Sequence, residues 1–142
     1  MKSLLLLLLA LMLIAGPATP RAQQLPNAKC LAEIQDIAKR TRQQANLYLG
    51  EMKGLIDNPW ARNSASVCSS AISRAEQYSK RQALTNSLCM PGSTYVDSQT
   101  IQLYKTANST CRAEFDNVLS RIPDDERRLI TDRVARAEAG FR

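Results

Sequence analysis

The sequence predicts an all-α protein: a four-helix up-down antiparallel bundle, tied by two disulfides and preceded by a signal peptide. Three observations support this prediction. Apolar side chains recur three and four residues apart along four segments, which is the spacing of one helix face. Breaks rich in Pro, Gly, Asn and Asp separate the segments, and short connections make successive helices antiparallel neighbours. Four cysteines stand at spacings that fit such hairpins.

Residues 1–22 have the layout of a secretory signal peptide. A basic residue precedes an unbroken apolar run over 4–15, and glycine, proline and small residues follow. The run is shorter than the ~20 apolar residues that cross a bilayer. Cleavage fits Ala18 or Ala22, and we favour Ala22. Residues 23–142 are then a single helical domain, and its export predicts a periplasmic location or, alternatively, an extracellular one.

The first two helices are separated by Asp57-Asn58-Pro59. Asn27 is placed to cap the first helix and Asn58 the second, where Pro59 fits the first helical position because its missing N–H has no partner there. The predicted core-facing seam of the first helix is Leu31, Ile34, Ala38, Thr41, Ala45, Tyr48, Met52 and Leu55. That of the second is Ala61, Ala65, Cys68, Ile72 and Ala75.

The third and fourth helices follow the turn at Met90-Pro91-Gly92. The third is predicted to begin near Asp97 or Ser98, and acidic residues after Pro123 suit the dipole at the start of the fourth. The third seam is Ile101, Tyr104, Asn108, Cys111, Phe115, Val118 and Ile122, with Asn108 as its polar member. The fourth is Ile130, Val134, Ala137 and Phe141.

The cysteine spacing predicts two structural disulfides, Cys30–Cys89 and Cys68–Cys111. Residues at equal distances from a turn face each other across an antiparallel hairpin, and each pair is centred on a predicted turn. A Cys68–Cys89 bridge would join points ~30 Å apart on one straight helix, whereas bridged Cα atoms lie within ~7 Å. Four cysteines in a short exported chain also favour structural bridges over reactive thiols.

Composition argues against several function classes. The chain has no histidine, the commonest general base and metal ligand. Its formal charge of +6 falls to +4 once Lys2 and Arg21 leave with the signal peptide. This mild excess is not the basic stripe of a nucleic-acid binder, although it allows weak contact with an anionic membrane surface. We therefore expect no enzyme, no catalytic or metal residues, no cofactor and no nucleic-acid partner.

The predicted recognition residues are Trp60, Arg62, Arg127 and Arg128. Tryptophan and arginine are enriched in binding hot spots, so Trp60 either anchors a protein partner or packs over the end of the bundle. Both alternatives stay open at this point. The sequence does not predict an oligomeric state.

Together, the signal-peptide pattern, the mild charge, the lack of histidine and the recognition residues predict a small exported, non-catalytic binding or accessory protein of the cell envelope. The alternative is a periplasmic inhibitor or immunity protein that binds an envelope-acting enzyme or toxin. The run Cys89-Met90-Pro91, followed by Gln99 and Tyr104, resembles the Cys-x-Pro segment of some periplasmic immunity proteins. Cys68 and Cys111 have no counterpart in that pattern. A hydrolase with a carboxylate site is the second alternative.

Overall fold

The computed structural model describes residues 28–84 and 98–142, and over these residues the chain forms four α-helices and no strand. The helices are α1 (Ala28–Lys53), α2 (Pro59–Leu84), α3 (Ser98–Leu119) and α4 (Asp124–Ala139). The all-α prediction is confirmed for this part of the chain. None of the described helices is long and apolar enough to cross a membrane.

The turns lie where the sequence predicts them. Pro59 is the first residue of α2, and the carbonyl of Asn58 accepts a hydrogen bond from the backbone N–H of Arg62 at 3.2 Å. The α4 helix follows Pro123 with three acidic residues in its first turn, although no side chain caps it. Asn27 and the Met90-Pro91-Gly92 turn lie outside the described residues.

Specific contacts fix the direction of each helix. The Cys68–Cys111 bridge and a 2.7 Å hydrogen bond from the Tyr78 hydroxyl to Gln99 show that α2 and α3 are antiparallel. By contrast α1 and α3 run parallel, because Ile101 packs on the cluster around Ile34 near their N-terminal ends while Tyr48 stacks on Phe115 further along both helices. Along α1, α2 and α3 the chain direction therefore alternates from one helix to the next.

The fourth helix does not have the place expected in an evenly packed bundle. Each of the first three helices lies against the other two, whereas the backbone of α4 comes close mainly to α1. Tyr48 and Glu51 of α1 pair with Glu138 and Arg133 respectively, so α4 runs antiparallel to α1. At 16 residues α4 is also shorter than α1, which has 26. The fold is a three-helix core with a short fourth helix along one half of it.

The core is built largely from small side chains. Ala45, Ala61 and Ala75 are fully buried, and small residues at helix contacts let the backbones approach closely. Larger side chains fill the half that α4 covers, where Tyr48, Met52 and Val118 are almost completely enclosed. Ala75 packs in a separate cluster with Ala38, Tyr104 and Ala107, and the other residues named above belong to the main cluster. The main cluster also contains Ala65, Cys68, Cys111, Phe115, Leu119, Ile122, Ile130 and Val134.

Most predicted seam positions are buried, with two informative departures. Phe141 is wrong as a core position, because α4 ends at Ala139 and the chain turns at Gly140, which leaves the ring 36% exposed. Asn108 is half-buried as a seam residue, and its Oδ1 atom is enclosed without a hydrogen-bond partner. The periodic pattern therefore locates the core correctly up to the end of the last helix.

One of the two predicted disulfides is confirmed. The Cys68–Cys111 bridge joins α2 to α3 at a Cα–Cα distance of 4.5 Å, and both cysteines are fully buried. Cys30 is also disulfide-bonded, and no free cysteine occurs among the described residues. Its predicted partner Cys89 lies outside the described residues, as does the predicted signal peptide at 1–22.

Candidate functional site

The predicted recognition residues all lie at the end of the bundle that holds the α1–α2 and α3–α4 turns. Trp60 is half-buried and packs against the main core cluster. The guanidinium carbon of Arg121 lies 5.8 Å from the Trp60 ring centroid, within the range of a cation–π contact. Trp60 thus packs over the bundle end and joins the two turns to each other.

The arginines predicted beside Trp60 have separate roles in this geometry. Arg62 donates a hydrogen bond to the carbonyl oxygen of Ile56 at 3.1 Å. Arg127 donates hydrogen bonds to the carbonyl oxygens of Leu119 and Ile122 at 2.8 and 3.0 Å, and so ties the start of α4 to the end of α3. Arg128 is exposed.

Arg121, which sequence reasoning missed, is the arginine that contacts Trp60. Arg121 lies in the α3–α4 turn, and helical periodicity does not predict which residue of a turn will contact another turn. The sequence therefore gave no indication of its contact with Trp60. The predicted residues therefore share one end of the molecule without forming a single cluster of side chains.

An exposed apolar patch lies at this same end, and we call Leu55, Ile56 and Leu129 the end patch. Leu129 of α4 is 65% exposed and Ile56 is 45% exposed. Leu55 and Leu129 line one shallow depression with Gly54, and Ile56 follows Leu55 in the chain. Leu129 and Ile56 are the two most exposed large apolar side chains of the described residues.

A charged pair borders the end patch. Arg133 donates two hydrogen bonds to the carboxylate of Glu51, one of them from Nε to Oε1 at 2.7 Å. The Glu51 side chain is only 14% exposed, and its carboxylate raises the pKa of Arg133 above the ordinary value. Both residues line the depression that holds Leu129. The pair therefore holds α4 against α1 directly beside the patch.

The opposite end of α4 borders a second region, which we call the arginine cleft. Three arginines from separate parts of the chain line it: Arg40 of α1, Arg112 of α3 and Arg142 beyond α4. The cleft has a volume of about 290 Å³, close to the ~300 Å³ at the lower end of the range for small-ligand pockets. Its remaining lining residues are Gln43, Gln44, Glu138 and Phe141.

A buried tyrosine anchors the wall of this cleft. The Tyr48 ring stacks on Phe115 with centroids 5.0 Å apart, and its hydroxyl donates a 2.6 Å hydrogen bond to Oε1 of Glu138. Burial, followed by the hydrogen bond to the Glu138 carboxylate and its negative charge, raises the pKa of Tyr48 to about 12. Tyr48 is therefore a neutral hydrogen-bond donor at physiological pH, and it fixes the position of the Glu138 carboxylate.

The three arginines of the cleft differ in how strongly their charges are already paired. Arg40 bonds Asp36 one turn earlier on α1 and lowers the pKa of that carboxyl group. Arg112 lies 4.0 Å from Asp116, too far for a hydrogen bond, and both side chains are exposed to solvent. No ion pair involves Arg142 within the described part of the chain. Arg112 and Arg142 therefore present weakly compensated charge to the cleft.

Over residues 28–84 and 98–142, no group of three His, Cys, Asp or Glu side chains could hold a metal ion. Comparison of the chain with protein-family models, with curated proteins and with solved structures found no match. The end patch and the arginine cleft are the surfaces from which function is argued below.

Proposed function

We propose that this protein is an exported, non-catalytic binding or accessory protein of the cell envelope, and that it binds a protein partner through the end patch. The single observation that carries the proposal is the exposure of Leu129 in a depression that it shares with Leu55 and the Glu51–Arg133 pair. An apolar centre surrounded by polar and charged groups is the usual anatomy of a protein–protein interface. Single exposed apolar residues are common on soluble proteins, whereas grouped ones mark contact sites.

The end patch also rests on a fixed support. Arg127 binds the carbonyls at the end of α3, and Arg121 contacts Trp60 across the two turns. A surface held in one conformation loses little conformational entropy when it binds. Burial of a leucine-sized side chain contributes about 1.5–3 kcal/mol, so Leu129 alone can account for a large change in affinity.

Export and the second disulfide are part of the same proposal. The signal-peptide pattern at 1–22 supports export, and so does the Cys68–Cys111 bridge, because structural disulfides persist in oxidising compartments. We propose Cys30–Cys89 as the second bridge. The disulfide-bonded state of Cys30 and its near-complete burial support that pairing.

Affinity capture from an envelope extract tests the binding proposal. The bait is the purified domain, and Leu129→Asp is compared with Val67→Asp, since Val67 is an exposed apolar residue on α2 at 38% exposure. We expect one partner that binds stoichiometrically and saturably, with an affinity that falls about tenfold or more in Leu129→Asp. The Val67→Asp variant should keep the affinity of the natural sequence.

Two results would contradict the proposal. Equal loss of binding in both variants would mean that the end patch is not the contact surface. Turnover of an envelope polymer by the purified protein would identify a hydrolase instead. If the captured partner is an enzyme or toxin that loses activity in the complex, the protein belongs to the inhibitor class within this proposal.

A further inference from the structure

We propose that the arginine cleft binds a phosphate group, and that it does so independently of the end patch. Leu129 and Glu138 are nine positions apart on α4, which places the two surfaces about 14 Å apart along the helix axis at 1.5 Å per residue. The proposal rests on Arg40, Arg112 and Arg142 and on none of the residues that form the end patch.

The first argument is the convergence of guanidinium groups. The three arginines come from α1, from α3 and from the segment after α4, so only the folded chain brings them together. Each guanidinium has five N–H donors in a planar fork and remains charged at all physiological pH values. Like charges repel, and a cleft that gathers three of them is stabilised by an anion between them.

The second argument distinguishes phosphate from a single carboxylate. The side chains lining the cleft carry three positive charges and one negative charge, and Arg40 is already paired with Asp36, so the available positive charge rests on Arg112 and Arg142. A phosphate group carries up to two negative charges and presents several acceptor oxygens in a tetrahedral arrangement, so it can accept from more than one arginine at once. A lone carboxylate presents only two oxygens in one plane, so it is less suited to accept from arginines that come from separate parts of the chain.

The third argument concerns Glu138 and the two glutamines. The Tyr48 hydroxyl holds Oε1 of Glu138, so this carboxylate stays on the wall of the cleft as a fixed acceptor. It suits a hydroxyl of the protonated phosphate, while the half-buried amides of Gln43 and Gln44 supply neutral donors. The negative charge of the Glu138 carboxylate must also weaken the binding of a fully ionised phosphate. The Glu138→Gln variant keeps an oxygen for the Tyr48 hydroxyl and removes that charge.

Calorimetric titration with inorganic phosphate at low ionic strength tests the proposal. Arg112→Gln and Arg142→Gln should each weaken binding about fivefold or more, because each removes a charged donor. Arg136→Gln is the matched control: it lies on the exposed face of α4 and makes the same change in net charge without lining the cleft. It should change the affinity by less than about twofold. Glu138→Gln should tighten binding.

A sedimentation assay distinguishes the two sources of the phosphate group. The probes are vesicles of phosphatidylglycerol and phosphatidylcholine in equal parts. Sedimentation of the natural protein but not of Arg112→Gln would assign a lipid headgroup as the source. Phosphate binding without sedimentation would assign a soluble phosphate or phosphate ester. Thermal unfolding of each variant checks that it is folded; the substituted arginines are exposed, whereas Glu138 is half-buried.

Three outcomes would overturn the inference. The first is the absence of saturable binding to both phosphate and vesicles. The second is equal weakening by Arg136→Gln and Arg112→Gln, which would show a general charge effect. The third is binding of polyglutamate that is tighter than that of phosphate and sensitive to Arg112→Gln, which would assign the cleft to an acidic protein. None of these results bears on the end patch, whose test uses Leu129.

Discussion

Removal of the Cys68–Cys111 bridge should cost this protein a large part of its stability. The bridge spans 43 positions of sequence, and the chain-entropy relation for a loop of that size gives about 4 kcal/mol at 25 °C. Both cysteines are completely buried, so the double variant Cys68→Ala/Cys111→Ala also loses packing around two sulfur atoms. Domains of this size have a free energy of unfolding of about 5–15 kcal/mol, and the core here is rich in alanine.

Urea unfolding followed by circular dichroism measures this loss. The double variant should unfold at a much lower urea concentration, with a free energy of unfolding reduced by about 4 kcal/mol. The natural protein and the double variant are both studied without reductant, so that Cys30 and Cys89 have the same oxidation state in the two proteins. A loss below about 1 kcal/mol would refute the reasoning, because the bridge would then add almost nothing to a fold that α2 and α3 already hold.

Two further predictions follow from individual side chains. The Tyr48 hydroxyl has a pKa raised to about 12 in the folded protein, above the value of about 10 in an unfolded chain, so its stabilising effect is complete below pH 10 and is lost as the pH rises towards 12. Denaturation curves across this range should show a fall in stability that is smaller in Tyr48→Phe, and an equal fall in both proteins would contradict the prediction. Arg127→Ala should lower the free energy of unfolding by about 1–2 kcal/mol because it removes the hydrogen bonds that Arg127 donates to the carbonyls of Leu119 and Ile122, whereas the exposed neighbour variant Arg128→Ala should stay within about 0.5 kcal/mol. Equal effects of the two arginine variants in urea titrations would show that the bonds of Arg127 add no stability.

Local chemistry accounts for what the sequence predicted correctly. Asn58 and Pro59 mark the start of α2 because a capping residue followed by proline suits a helix N-terminus. The pairing of Cys68 with Cys111 follows from their equal distance from a turn, which is a property of any antiparallel hairpin. Features that depend on one helix or on one hairpin could therefore be predicted from the sequence.

Features that depend on contacts between distant segments could not be predicted from the sequence. Arg121 contacts Trp60 because two turns lie side by side at one end of the bundle, and helical periodicity contains no information about that contact. The arginine cleft depends on where the short α4 ends along α1, which brings Arg142 near Arg40 and Arg112. Phe141 was misplaced for a different, local reason: the seam pattern extends past the residue where the helix stops.

Site-specific photo-crosslinking in intact cells tests the central claim, that the end patch is the surface through which this protein binds its partner. A photoreactive amino acid replaces Leu129 in one variant and Val67 in the other, two exposed apolar positions on different helices. We predict a discrete crosslinked protein from position 129 and none from position 67. Crosslinking from position 67 alone, or equally from both positions, would contradict the account.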